Sequence, residues 1–312
     1  MSQDLYLITG GAGFIGSHIA EALLERGGKV RIFDDLSSGH LENLASFKDR
    51  VEFVKGDVRD AIALTQAMKG VRYVYHEAAL VSVFDSVERP LDNNDINITG
   101  TLNVLRAAKA AGAQRLLIAS SAANYGNNPE LPKRENMLPE PESPYAIGKI
   151  VGEYYLRIFS SLYGLETVSL RYFNVFGPRQ DPRSMYSGVI SKFTDVLAKG
   201  QTPMIFGDGG QTRDFVFVKD VVQANILAMH SDKVGKGEVF NVGTGRKASL
   251  LDLLDALCDA FGVKVQPVFK EARAGDIRHS LSDITKIRTT LGYEPKYTLH
   301  QGLKALVDSV RK

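Results

Sequence analysis

Of the twelve tyrosines in this 312-residue chain, Tyr145 alone is followed four positions later by a lysine, Lys149. Ser143-Pro144 immediately before it reads as an N-cap and a first-turn proline. Both side chains then fall on one face of the opening turns of a helix. A phenol with a pKa near 10 is a poor base at neutral pH. A lysine ammonium at about 5 Å, in an effective dielectric near 20, favours the phenolate by about 3 kcal/mol, or roughly two pKa units. Upstream, Arg115–Ser121 reads as a strand ending on Ser120-Ser121, at the carboxyl edge where α/β proteins bind ligands. Ser121 can hydrogen-bond a substrate alcohol and relay its proton to Tyr145. Such a trio oxidises an alcohol only if something nearby takes the hydride.

That acceptor is written into the N-terminus. Leu5–Gly16 runs as an apolar strand, then Gly10-Gly11-Ala12-Gly13-Phe14-Ile15-Gly16, then an amphipathic helix. The glycines permit a tight turn, close backbone approach to a pyrophosphate, and helix-on-strand packing. The helix N-terminus offers free amides and a positive dipole end to the phosphates. The second strand ends at Phe33-Asp34-Asp35, with Asp34 about 20 residues past the glycines, where a carboxylate accepts from an adenosine ribose. A carboxylate there repels a 2′-phosphate and no arginine follows at once, which favours NAD over NADP. Asp57-Val58, after the third strand, suits an adenine contact.

The elements that position these residues alternate. Strand-like runs at Leu5–Thr9, Val30–Phe33, Val51–Val54, Tyr73–Tyr75, Leu116–Ala119 and Thr167–Leu170 are separated by helical segments, among them Phe14–Arg26, Leu91–Ala111 and Pro144–Leu162. Buried strands with amphipathic crossovers predict an α/β fold: a Rossmann-type, doubly wound parallel sheet with a smaller, partly interleaved C-terminal substrate domain. The division expected is residues 1–171 for the dinucleotide and 172–312 for the substrate. In the second part, strands are expected at Met204–Phe206, Phe215–Val218 and Val239–Val242, and helices near Leu250–Phe261 and His300–Val310.

Charge and composition exclude other classes. The net charge of +2 supplies no dense basic face, so nucleic acid is not an expected partner. No uninterrupted apolar stretch approaches the ~20 residues of a membrane span. Met1–Asp4 leads into the first strand without a charged-then-apolar leader. The single cysteine, Cys258, cannot form an intrachain disulfide and sits in an apolar helical pattern, which suits a reducing compartment. A cytoplasmic protein with no metal site is expected.

Thr9–Gly16, Ser120-Ser121-Ala122-Ala123-Asn124-Tyr125-Gly126, Ser143-Pro144-Tyr145, Lys149 and Arg171-Tyr172-Phe173-Asn174 together resemble an extended short-chain dehydrogenase/reductase of the UDP-hexose 4-epimerase family, over nearly the whole chain. The resemblance implies tightly held NAD, a transient 4-keto sugar that rotates, hydride return to its other face, and a homodimer paired through the helices Leu91–Ala111 and Pro144–Leu162. It places Gly10, Gly13, Phe14, Ile15, Gly16, the loop Asp34, Asp35, Leu36, Ser37, Ser38 and Gly39, then Asp57, Val58, Ala78, Ala79, Asn97, Tyr145, Lys149 and Phe173 against NAD. The nucleotide sugar falls to Ser82, Ser121, Asn174, Val189, Ile205, Phe206, Arg213, Arg273, Asp276 and Ser280. The two arginines suit a diphosphate, since a guanidinium makes paired charge-assisted bonds.

Arg171–Pro182 and Gly275–Thr285 further resemble the subgroup that epimerises N-acetylated UDP-hexoses. There Ser280 occupies the gate beside the hexose 2-substituent, where galactose-specific relatives tend to carry tyrosine. Serine leaves room for an acetamido group, so UDP-GlcNAc/UDP-GalNAc are expected beside UDP-Glc/UDP-Gal. Val81 and Ala123 depart from the lysine and threonine of many glucose-type epimerases. A 4,6-dehydratase needs a carboxylate pair after the strand-end hydroxyl, and Ala122-Ala123 stand there. UDP-glucuronate 4-epimerisation stays open; an NAD-binding module without turnover typically loses the tyrosine or the lysine, and this chain retains both with Ser121.

Overall fold

The computed structural model describes residues 4–181, 188–272 and 278–311. Six strands of the first half, β1 (Leu5–Thr9), β2 (Lys29–Asp34), β3 (Val51–Lys55), β4 (Tyr73–His76), β5 (Arg115–Ser121) and β6 (Glu166–Tyr172), are joined by Lys236–Val242. The resulting seven-stranded sheet runs in the order Lys236–Val242, β6, β5, β4, β1, β2, β3, with every neighbouring pair parallel. The expected doubly wound architecture is what forms. The order reverses between β1 and β4, and a crevice opens there at the carboxyl ends of the strands.

Apolar runs in β1, β4, β5 and β6 are buried on both faces, so each sheet face needs its own cover. On one side Ile8, Tyr75, Leu117 and Leu170 pack with Ile19 and Leu23 of α1 (Phe14–Glu25) and with Val221 and Met229 of the helix Val218–His230. On the other, Leu7, Val74, Leu116 and Ile118 meet Leu105, Leu156 and Phe159. A third core, with Phe176, Phe193, Leu253, Leu257 and Leu303, belongs to the second half, and Phe14 and Ile15 lean against it. The first turn of α1 thus joins the two halves beside the glycine loop.

Two expected elements differ. Leu91–Ala111 is not one regular helix: Pro90–Asn93 leads into a π-helical segment, Asn94–Gly100, before α-helix resumes at Thr101–Ala111. The wider turn aims Asn97 at the loop after β4, where its Oδ1 accepts from Leu80 N at 2.9 Å and its Nδ2 donates to Leu80 O at 3.0 Å. Segments of this kind recur at functional sites. Val218, expected to end a strand, instead starts a helix, and the strand stops at Phe217. Among the described residues no helix is long and apolar enough to cross a membrane, and no His, Cys, Asp or Glu cluster could hold a metal.

Candidate active site

The helix Pro144–Tyr163 delivers Tyr145 and Lys149, and its start is pinned from three sides. Ser143 Oγ accepts from Ala146 N at 3.2 Å, Tyr145 N donates to Ser86 Oγ at 3.1 Å, and Asn93 Nδ2 donates to Pro144 O at 2.8 Å. Ser121, the last residue of β5, caps the turn that follows, accepting from Ala123 N at 3.1 Å. Its hydroxyl lies near enough to the Tyr145 phenol to pull the phenol's pKa down. Lys149 Nζ donates to Ala119 O at 2.8 Å and lies 5.6 Å from the centre of the Tyr145 ring. The three residues singled out by spacing therefore meet.

The helix is fixed to β5 by a buried polar network invisible in the sequence. Glu153 accepts from Arg171 Nε and Nη2, both at 2.8 Å, from Ser120 Oγ at 2.5 Å and from Asn124 Nδ2 at 2.9 Å. Arg171 and Glu153 are 3% and 4% exposed, too buried to be held without each other. Ser120 adjoins Ser121, and Glu153 lies one turn beyond Lys149, so one carboxylate holds both sides of the site in register.

The electrostatics depart from the expected phenolate. Burial pushes the Tyr145 phenol above its ordinary value, with the Ser121 hydrogen bond pulling down and a negative charge on Glu77 adding to the rise. Lys149 is lowered to about 8 by burial, which Glu77 partly offsets. Glu77 itself is raised to about 7 by burial, against a hydrogen bond from Tyr172 and the charge of Lys149. All three residues are half-buried, and the protein packed around them drives the shifts. Desolvation and an unforeseen carboxylate act against the phenolate that the lysine was expected to favour.

The cradle for a dinucleotide lies at the switch point. Gly10 has φ +68°, and a Cβ on it would stand 2.6 Å from Ala78 N. A Cβ on Gly16 would run into the Gly10 carbonyl oxygen. Gly13 caps α1 with no side-chain bond, leaving the helix amides free for an anion. Asp34, buried, accepts from Ala12 N at 2.9 Å and Leu36 N at 2.8 Å on separate oxygens, each of which keeps an acceptor direction for a ribose hydroxyl. Burial pushes its carboxyl up against those two bonds. Asp35 accepts from Ser37 N and Oγ, Leu36 sits at φ +64°, and Gly39 packs on Asp34 with room for no side chain; Ser38 completes this loop. Ala78 and Ala79 line a small pocket with Asn97, Ala119 and Lys149, Asn97 also holds Leu80, and Phe173 is buried against Tyr125. Val58 is buried, whereas the Asp57 carboxylate is gripped by Arg59 at 2.5 Å, which holds it below its ordinary range. These features fit the pyrophosphate and ribose of NAD.

The residues expected at the sugar are more scattered. Ser82 Oγ is taken up in capping the helix Val83–Glu88, accepting from Asp85 N at 2.9 Å. Asn174 is exposed, Val189 opens the helix Val189–Ala198, and Ile205 is buried beside the less buried Phe206 in a short strand paired with Val268–Lys270. Arg213 Nη1 donates to Thr212 O at 3.0 Å, and Ser280 N donates to the same carbonyl at 3.0 Å. Arg213 and Ser280 therefore approach one another. Arg273 and Asp276 lie outside the described residues. Asp214, which nothing in the sequence marked, organises this corner: it accepts from Thr244 N, Thr244 Oγ1, Gly245 N, Ser282 N and Ser282 Oγ.

Residues 6–243 match the model of the NAD dependent epimerase/dehydratase family. A UDP-glucose 4-epimerase of Mycolicibacterium smegmatis is 42% identical over 310 residues, 98% of each chain. The crystal structure of a UDP-glucose 4-epimerase from Thermotoga maritima with UDP-glucose superposes with a TM-score of 0.93 at 41% identity, covering 98% of both chains. A UDP-N-acetylglucosamine 4-epimerase from Methanobrevibacter ruminantium, in complex with UDP-N-acetylmuramic acid, gives 0.94 at 40% identity over 100% of this chain and 99% of the other.

Proposed function

This chain belongs to the NAD-dependent epimerase/dehydratase family, and on that premise we propose that it interconverts UDP-hexoses at C4, accepting N-acetylated as well as plain sugars. The observation that carries this reading is Lys149 fixed on the Ala119 carbonyl at 2.8 Å and 5.6 Å from the centre of the Tyr145 ring, with Ser121 ending the same strand. NAD held in this cradle would supply the hydride acceptor and donor that a C4 interconversion without net oxidation needs. Gly10, Gly13, Gly16 and the α1 amides would hold its pyrophosphate, and Asp34 its ribose. Ser121 orients the sugar hydroxyl and Tyr145 takes its proton, then returns it when the other face is reduced. Lys149 limits the cost of charge on Tyr145, and its bond to Ala119 keeps it from swinging away. Arg213 supplies positive charge for the diphosphate. Ser280, held to Thr212 by its backbone, presents a small side chain at the sugar and leaves room for an acetamido group.

Oligomerisation belongs to the same proposal. Ile147, Tyr154, Ile158 and Leu162 form a stripe on the outer face of the helix Pro144–Tyr163, between 45% and 68% exposed. An apolar stripe at this spacing suits a second copy of itself, as a homodimer. The test of function is to incubate the protein with each of the four UDP-hexoses and resolve the products by chromatography. Paired interconversion is expected, and Tyr145→Phe should nearly abolish it while leaving NAD bound. Turnover retained by Tyr145→Phe would refute the assigned base.

A further inference from the structure

Asn174, Arg213 and Ser280 come from distant parts of the chain, yet all three are tied to one fully buried residue, Asp214. Its backbone carbonyl accepts from Asn174 N at 3.1 Å, where Phe215–Phe217 pairs with Asn174–Phe176. Arg213 precedes it in the short strand Thr212–Arg213. Its carboxylate reaches the third: Oδ2 accepts from Ser282 Oγ at 2.5 Å and from Ser282 N at 3.2 Å, two positions beyond Ser280. Gly245 N donates to the same oxygen at 3.0 Å, while Oδ1 accepts from Thr244 N at 2.8 Å and Thr244 Oγ1 at 2.6 Å. A Cβ on Gly243 would run into both Ser282 Oγ and Asp214 Oδ2, so the turn closes over this pair only with glycine there. Backbone bonds set the register of the segment on either side. Thr212 N donates to Arg278 O and Ser280 N to Thr212 O, each at 3.0 Å; Lys133 N donates to Leu281 O at 2.8 Å and Asp283 N to Lys133 O at 2.9 Å.

We propose that Asp214 and Ser282 form a positioning latch for the nucleotide sugar: their hydrogen bond sets the spacing between Arg213, on the diphosphate, and Ser280, on the hexose. The inference rests on the reading of Arg213 and Ser280 as substrate contacts. A hydroxyl donating to a buried carboxylate makes a short, charge-assisted bond. Five donors saturate the roughly four lone-pair sites of the carboxylate, so it has no other partner to turn to. A buried network satisfied in this way is rigid, and the hexose must fit the spacing it finds. Tyr145, Lys149 and Ser121 stand on β5 and the helix Pro144–Tyr163, outside the latch. Loosening the latch therefore weakens the hold on the sugar and leaves the proton-transfer groups in place.

The test is Ser282→Ala, which removes one donor and leaves the carboxylate its other partners. Affinities for UDP and for UDP-glucose are measured by titration calorimetry on the NAD-loaded protein, in a Tyr145→Phe background so that binding is read without turnover. Ser282→Ala should raise the Kd of UDP-glucose about fivefold, the ordinary worth of one hydrogen bond, and that of UDP by less than about twofold. In the otherwise unaltered enzyme KM for UDP-glucose should rise in step while kcat holds within about twofold. An unchanged ratio of the two affinities overturns the proposal, as does a kcat that falls more than KM rises. Thr244→Val takes a hydroxyl from the same carboxylate on the side away from Ser280 and serves as the structural control. Its urea midpoint should fall while its affinity ratio stays; if it reproduces the ratio of Ser282→Ala, the carboxylate acts on the fold at large and the proposal falls. Should the unaltered protein bind neither UDP nor UDP-glucose, the parent reading fails and the latch with it. Binding of both with no response to Ser282→Ala defeats the latch alone.

Discussion

Replacing Glu153 by glutamine tests how the site is held together. Glu153 satisfies two nitrogens of Arg171, the hydroxyl of Ser120 and the amide of Asn124. Arg171 is 3% exposed and its third nitrogen, Nη1, already lacks a partner, so the guanidinium has no other anion to turn to. Glutamine preserves the volume but leaves a buried cation uncompensated and puts an amide donor where acceptors stood. Breaking a buried pair in this way costs about 3–5 kcal/mol. The double change Glu153→Met with Arg171→Met removes both charges and should cost less than Glu153→Gln alone. Urea unfolding midpoints, read at unchanged slope, measure each term. In parallel, kcat should fall more than KM rises, because Ser120 and Glu153 tie the strand of Ser121 to the helix of Tyr145. A loss below about 1 kcal/mol for Glu153→Gln, or a double variant worse than the single, would refute the reasoning.

Three further outcomes follow from the same geometry. Gly10→Ala puts a Cβ 2.6 Å from the Ala78 backbone at φ +68°; it should cost about 1–2 kcal/mol in backbone strain before any clash and strip bound NAD on gel filtration, and full retention of NAD would refute the cradle. Burial holds His76 down to about 3 and His18 down to about 4, so both stay neutral in the fold while the unfolded chain gains protons below about pH 6.5. Their contribution is complete above that pH and is lost as pH falls, about 1.4 kcal/mol per unit for each. The stability advantage of the unaltered protein over His76→Asn should therefore shrink between pH 6.5 and 5 in urea unfolding; a constant gap would refute it. Ser280→Tyr should suppress turnover of the N-acetylated sugars more than that of plain hexoses in competition assays, and equal losses would remove Ser280 from the gate.

Much of the architecture could be read from local pattern, because strands buried on both faces leave continuous apolar runs and the glycine loop has few other uses. The grouping of Tyr145, Lys149 and Ser121 was legible for a similar reason: Ser143-Pro144 marks a helix start, and the helix start fixes where residues two and six face. The π-helical segment was not, since Asn97 and Gly100 disturb no apolar periodicity and the wide turn exists to satisfy Leu80, a partner from another element. Glu77, Glu153 and Asp214 were silent because a carboxylate in sequence looks solvated until the fold closes over it. The rise that burial and Glu77 impose on Tyr145 in the polypeptide alone was silent for the same cause: the lysine could be counted from spacing, whereas those two could not.

The strand Lys236–Val242 reaches back to pair with β6 and closes the edge of the sheet on which Ser121 and Tyr172 end. A nascent chain that has emerged only as far as Tyr172 therefore displays an open, apolar β edge. That edge waits for some sixty further residues, which is an interval in which chaperones or aggregation compete for it. Truncation between the two halves should yield no autonomous dinucleotide-binding fragment, and complementation of the split protein would have to restore this strand before anything else.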